Sequence, residues 1–302
     1  MDPAIILFGL GVGVLVGATG MGGGALMTPL LILIFGVKPV VAVGTDLAYA
    51  AVTKTVGGFR HLVKGAVHKR MALWLAVGSC PGALVGVWLL DRLRDVYGDG
   101  FDELLMVLIS AALLLTGGLI LLRALALSEA GRRERGHLKM ATKHKVAAVA
   151  LGFSIGIVLG ITSAGSGTLI AVGLIVGFRL TPHLVVGTDV VHAAVLLWVA
   201  SAAHLVSGNI DFALAGTILI GSIPGVWLGA NLSTRLPADA LRPALAIVLV
   251  ASGLALLTKA GLDVPVGVLA VVPFGLALLS YLVHRARRPV PSPRQPMEVS
   301  SR

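Results

Sequence analysis

TGMGGG, residues 19–24, sets four glycines (Gly20, Gly22, Gly23 and Gly24) inside an apolar run that extends from Ile5 to Gly36. Each glycine costs about 1 kcal/mol relative to alanine in a helix interior, so the cluster reads as a deliberate interruption. As one straight helix the run would span roughly 50 Å, too long for one crossing of a ~30 Å hydrocarbon core. Cut at the glycines, it leaves legs of roughly 20 Å, too short for two crossings. A re-entrant hairpin that dips to mid-membrane and returns satisfies both limits. Non-helical backbone at that depth is tolerated only where protein or a wet cavity surrounds it.

Of 302 residues, 57% are hydrophobic and 13% charged, a balance that reads as a polytopic membrane protein rather than a soluble domain. Apolar stretches near 39–60, 71–90, 103–122, 183–205, 212–232, 239–258 and 264–283 predict membrane helices, and their lengths fit helices rather than barrel strands. The expected fold class is all-α, a polytopic transmembrane helix bundle. The net charge of +10 comes from Lys and Arg placed between spans and in the tail, a pattern of membrane topology and not of nucleic-acid binding. Cys80 is the single cysteine, which excludes an internal disulfide. The opening MDPAIILFG has no basic n-region, so no cleavable signal is expected. From Arg285 onward the Pro-rich, polar RARRPVPSPRQPMEVSSR reads as a disordered cytoplasmic tail.

Sliding the chain by 143 residues brings Gly13–Leu93 onto Gly156–Leu236 without a gap, and 31 of the 81 pairs are identical. TGMGGGAL falls on TSAGSGTL, VGTD (43–46) on VGTD (186–189), HLVKG (61–65) on HLVSG (204–208), and GSCPG (78–82) on GSIPG (221–225). The chain therefore divides into a first transmembrane repeat (1–122), a basic cytoplasmic linker (123–145), a second repeat (146–258), an extra C-terminal helix (259–284) and the tail (285–302). The loop around 60–70 carries Arg60, Lys64, Lys69 and Arg70, whereas its counterpart at 203–213 carries no Lys or Arg but has Asp211. Short basic loops stay in the cytoplasm, so the two copies are expected to be inverted in the membrane, with an external N-terminus and a cytoplasmic C-terminus. Inversion needs an odd number of crossings per copy, which the hairpin supplies. The two tips, Thr19–Gly24 and Thr162–Gly167, are then expected to meet near the midplane, where many secondary transporters bind substrate.

Glycine-rich tips expose backbone N–H groups and a following helix N-terminus; with the hydroxyls of Thr19, Thr162, Ser163 and Ser166, around Gly165 and Gly167, they form an anion-accepting cavity. No acid lies in either tip, and a metal cation would want carboxylates or carbonyls. Thr45–Asp46 and Thr188–Asp189 sit early in their spans, where a carboxylate either carries a proton or caps a helix that begins after a glycine break. Lys54, matched by Leu197 in the other copy, is a candidate counter-charge for an anion, and His192, one turn past Asp189, a candidate in a proton relay. The chain has no HExxH, no GxSxG, no P-loop lysine and no cysteine pair, so neither an enzyme nor a cofactor is expected.

In GATGMGGGALMTP, VAVGTDLA and HLVKGAV, repeated as GITSAGSGTLI, VVGTDVV and HLVSGNI, the chain resembles the sulfite exporter TauE/SafE family over nearly its whole length. The resemblance implies transport of small anions, chiefly sulfite, sulfonates and related organosulfur or carboxylate compounds, across the bacterial cytoplasmic membrane. It assigns the site to the two tips and to Thr45–Asp46 with Thr188–Asp189. Two features depart from the family pattern: the second tip reads SAGSG where a denser glycine run is common, and an acid follows GT where a small polar residue is common. The expected function is a secondary exporter of a small anion, with proton coupling through Asp46, Asp189 and His192; an anion channel and an importer are the alternatives. The expected partners are the anion and membrane lipid, with a homo-oligomer left open.

Overall fold

The computed structural model describes residues 3–19, 24–126, 140–233 and 238–286. Gly20–Gly23 of the first tip, most of the basic linker and the tail beyond Ala286 lie outside the described residues. Among the described residues there is no strand, and the fold is an all-α bundle. The first copy holds α1 (Pro3–Thr19), α2 (Gly24–Phe35), α3 (Pro39–Val63), α4 (Lys69–Tyr97) and α5 (Phe101–Ala126). The second holds α6 (Thr142–Thr162), α7 (Ser166–Val172, continued by a π-helical turn at Gly173–Gly177), α8 (Pro182–Val206), α9 (Phe212–Ser233) and α10 (Ala238–Lys259). A further helix, α11 (Val266–Ala286), follows.

Local chemistry sets the same boundaries in both copies. Pro39 and Pro182 open α3 and α8, where the missing N–H of proline costs no helical bond, and each helix runs 25 residues. Two residues past each helix end, Gly65 and Gly208 take φ values of +66° and +71°, a left-handed turn that suits glycine. His68 then starts α4 by accepting the Met71 N–H on its own ring Nδ1, at 3.1 Å. Stretches 69–122 (holding α4 and α5), 142–162, 183–206 and 212–229 are long and apolar enough to cross a membrane, while α1, α2 and α7 with its π turn are shorter apolar helices. α3 is outside that set, and it carries Asp46, Lys54 and Arg60.

The short helices fold back as hairpins. Phe8 and Phe35 meet edge-on with ring centroids 5.0 Å apart, Phe8 eleven residues before Thr19 and Phe35 eleven residues after Gly24, so the ends of α1 and α2 farthest from the first tip come together. In the second copy Leu151, at the position equivalent to Phe8, packs against Gly173 beyond α7. The turn between these legs is described: Ser163 (φ +56°) and Gly165 (φ +92°) both adopt left-handed backbone, which ends α6 and starts α7 in a new direction.

The copies interlock by exchanging partners. α1 packs along α9, and α4 along α6. Gly9, Gly13, Gly221, Gly225 and Gly229 line the first pair; Gly152, Gly156, Gly78, Gly82 and Gly86 line the second. At each of them an added Cβ would fall within 3.0 Å of a backbone carbonyl of the facing helix, so backbones touch where side chains normally separate them. Every contact repeats under the 143-residue shift: Gly78 on Val149 becomes Gly221 on Ile6, and Gly82 on Phe153 becomes Gly225 on Leu10. α3 and α8 meet at the centre. Gly44 near the start of α3 touches Asn209 beyond the end of α8, and Gly187 near the start of α8 touches Ala66 beyond the end of α3, so these equivalent helices are antiparallel. α5 and α10 pack likewise, Gly117 on Ala246 and Gly253 on Ser110.

Candidate functional site

Asp46 and Asp189 lie inside α3 and α8, seven residues beyond the opening prolines, which excludes the capping role that the sequence left open. The prolines start both helices earlier than the glycine of VGTD, so each aspartate projects from an unbroken turn. Asp46 is fully buried, and Oδ2 accepts hydrogen bonds from Thr28 at 2.7 Å and from Ser163 at 2.8 Å. The two hydroxyls are themselves 2.6 Å apart. Ser163 belongs to the second tip, and Thr28 sits one turn into the helix that leaves the first. One carboxylate of α3 thus ties the second hairpin to the helix that follows the first tip. A buried carboxylate needs such donors, because an unpaired one carries its full desolvation cost.

Asp189, at the equivalent position, has different company. The residues equivalent to Thr28 and Ser163 are Ala171 and Gly20, neither with a side-chain donor. Lys54 of α3 approaches instead, its Nζ 3.7 Å from Asp189 Oδ2, with side-chain exposures of 11% and 9%. His192 does not turn to Asp189; its Nε2 is 2.7 Å from Ser79 Oγ of α4. Tyr49 occupies the place equivalent to His192 and faces Ser222, the counterpart of Ser79. Asp46 Oδ1, Asp189 Oδ1 and His192 Nδ1 are buried without a hydrogen-bond partner among the described residues.

The other residues singled out by sequence take several places. Thr45 Oγ1 accepts the Asp211 N–H at 3.1 Å and Thr188 Oγ1 the His68 N–H at 2.9 Å, two equivalent bonds by which each half clamps the loop of the other. Thr162 turns its hydroxyl onto Val158 O of its own helix, at 2.7 Å. Gly165 stands beneath Thr116 of α5, whose buried hydroxyl has no partner among the described residues; an added Cβ at Gly165 would come within 2.8 Å of it. Ser166 and Gly167 open α7, and Gly24 opens α2. Thr19 closes α1, while Gly20, Gly22 and Gly23 lie outside the described residues. Thr28 and Thr116 were missed by sequence reasoning. A lone threonine in an apolar helix gives no signal, and the shift of 143 pairs Thr28 with alanine. Among the described residues no group of three or more His, Cys, Asp or Glu is placed to hold a metal ion.

The seam between the halves is therefore a buried polar interior, with hydroxyls and a carboxylate at one end and an ion pair and a histidine at the other, enclosed by apolar helices. Such groups inside a membrane bundle mark solute or proton pathways. Residues 5–256 match the family described as sulfite exporter TauE/SafE. The chain is 37% identical over 257 residues to probable membrane transporter protein YjnA of Bacillus subtilis (strain 168), covering 85% of this chain and 100% of that one. It is 28% identical over 253 residues to probable membrane transporter protein YdhB of the same organism, covering 84% and 99%. A probable membrane transporter protein of Xylella fastidiosa (strain 9a5c) is 27% identical over 242 residues, covering 79% and 88%. No solved structure matches the chain significantly. On this match and this architecture, the chain belongs to the sulfite exporter TauE/SafE family and is a multi-pass membrane transporter of that family.

Proposed function

We propose that this transporter exports a small oxyanion, sulfite or a sulfonate, through a site between the two hairpin tips, and that Asp46 carries a proton in the cycle. The observation that carries the reading is the junction of Thr28, Asp46 and Ser163, where a group of each half meets one buried carboxylate. Three oxygen–oxygen contacts close that junction, and each needs a proton. The hydroxyls bring two; a protonated Asp46 that donates to one hydroxyl frees that hydroxyl to bond the other, and so closes the third contact. Opposed insertion of the halves, supported by antiparallel α3 and α8 and by the loop charges, makes the site alternately accessible from either face by rocking one half against the other. Export is downhill for a monoanion: at ~100 mV, negative inside, each negative charge that leaves gains about 2.3 kcal/mol.

Flux of radiolabelled sulfite and methanesulfonate from proteoliposomes tests the reading at imposed potentials. Saturable efflux that accelerates with an inside-negative potential is expected. Ohmic, unsaturable conductance in planar bilayers would instead make the protein a channel, and no flux of either anion would remove the substrate assignment.

A further inference from the structure

We infer that Lys54 supplies the positive charge that holds the transported anion, and that Asp189 is the anion's internal stand-in, occupying the ammonium while the site is empty and giving it up when substrate arrives. This rests on the anion-transport reading and names the charged partner of that same site.

The two aspartates are equivalent in sequence and in the fold, yet among the described residues only Asp46 has hydroxyl donors. The residues equivalent to Thr28 and Ser163 are an alanine and a glycine, and a lysine reaches Asp189 from α3, at a position where the equivalent residue of α8 is a leucine. That lysine is a poor structural tie. At 3.7 Å it lies outside hydrogen-bond distance of Asp189 Oδ2, and Asp189 Oδ1 has no partner among the described residues. A saturated, charge-assisted pair closes to about 2.7–2.9 Å. An ammonium brings three donors, and a single carboxylate oxygen at this distance leaves them unused. The pair is also buried, so neither charge can stay without the other unless a third charge replaces it.

A monoanion is the replacement that keeps Lys54 compensated. One lysine balances one negative charge, and the three oxygens of a sulfonate present acceptors to the three N–H donors, which makes a singly charged oxyanion the ligand class. Lys54 is two turns along α3 from Asp46, about 12 Å at helical rise, on the seam where α3 packs against α8. Displaced from Lys54, Asp189 is a buried carboxylate without a counter-charge, and it stays buried by taking up a proton.

Calorimetric titration of the full chain in nanodiscs with methanesulfonate, alongside thermal melting, tests the inference. The wild type is expected to bind saturably. Asp189→Asn removes the competitor and is expected to tighten binding by about tenfold or more, since a like charge within 4 Å of the ligand's place is lost. Asp189→Asn is also expected to melt lower than the wild type without anion and to gain more on adding it, because the anion restores balance to Lys54. Lys54→Met is expected to abolish binding and Lys54→Arg to retain it. Unchanged or weaker binding by a folded Asp189→Asn, or wild-type binding by Lys54→Met, overturns the proposal. Should Asp189→Asn fail to fold, Lys54→Met with Asp189→Asn leaves no uncompensated charge: this double variant is expected to fold without binding, and binding by it overturns the proposal. Normal flux in a protein whose affinity ignores both residues leaves the transport reading standing and sinks only this one; a wild type that neither binds nor moves any anion sinks the transport reading itself.

Discussion

The flanks of the bundle and its central seam were built from the same duplicated sequence, and they differ in how faithfully they repeat. Along α1–α9 and α4–α6 the contacts of Gly9, Gly13, Gly221, Gly225 and Gly229 have their images at Gly152, Gly156, Gly78, Gly82 and Gly86, backbone against backbone. Along α3–α8 the images differ: hydroxyls surround Asp46 and a lysine approaches Asp189, with Tyr49 matched by His192. Close packing leaves no room for divergence, because any side chain added at those glycines meets a carbonyl. The seam has polar groups whose partners can be exchanged one at a time. A symmetrical scaffold thus holds an asymmetrical site, with hydroxyl-bonded carboxylate chemistry in one half and ion-pair chemistry in the other.

The comparison breaks first at the scaffold. Gly78→Leu and Gly221→Leu, equivalent positions on the two flanks, are each expected to cost more than about 3 kcal/mol, by overpacking against the backbone of Val149 and Ile6 respectively. Steric-trap or thermal unfolding in detergent checks this, and a clear difference between the two would contradict the matched flanks. At the seam, by contrast, equivalent substitutions are expected to diverge: Asp46→Asn to abolish proton-dependent flux in proteoliposomes, and Asp189→Asn to retain it.

Smaller effects sharpen the same contrast. Thr28→Ala and Ser163→Gly introduce the residues found at the equivalent positions of the other copy, and each is expected to cost about 1–3 kcal/mol by leaving Asp46 short of a donor. Because both hydroxyls touch the same oxygen and each other, the double variant is expected to depart from additivity by at least about 0.5 kcal/mol in a double-mutant cycle. Gly118→Ala and Gly216→Ala lie in helices where an added Cβ meets nothing within 4 Å, and both are expected to stay within about 1 kcal/mol of the wild type or to stabilise.

Much of the fold was legible in the sequence because apolar length and a constant offset are one-dimensional quantities. The expected spans at 39–60 and 183–205 became α3 and α8, and the second glycine run became the left-handed turn between α6 and α7. What was hidden depends on which residue of one half faces which residue of the other. Lys54 stands eight residues after Asp46 on α3, and that spacing could not show that Asp189 lies across the seam. Thr45 and Thr188 stood out by repetition, but their partners are backbone N–H groups in loops of the opposite half, which no side-chain pattern records. The helix-cap alternative for the aspartates fell because proline starts both helices seven residues earlier.

The proposed transport cycle depends on opposed insertion of the two halves. Val63 and Val206 are equivalent, both exposed, at the ends of α3 and α8. In a chain whose Cys80 has been changed to Ser, Val63→Cys and Val206→Cys can be labelled from either side of intact cells with membrane-impermeant and permeant maleimides. Val206→Cys is expected to react with the impermeant reagent from outside and Val63→Cys only with the permeant one; reaction of both from the same side would contradict opposed insertion and the meeting of the tips that depends on it.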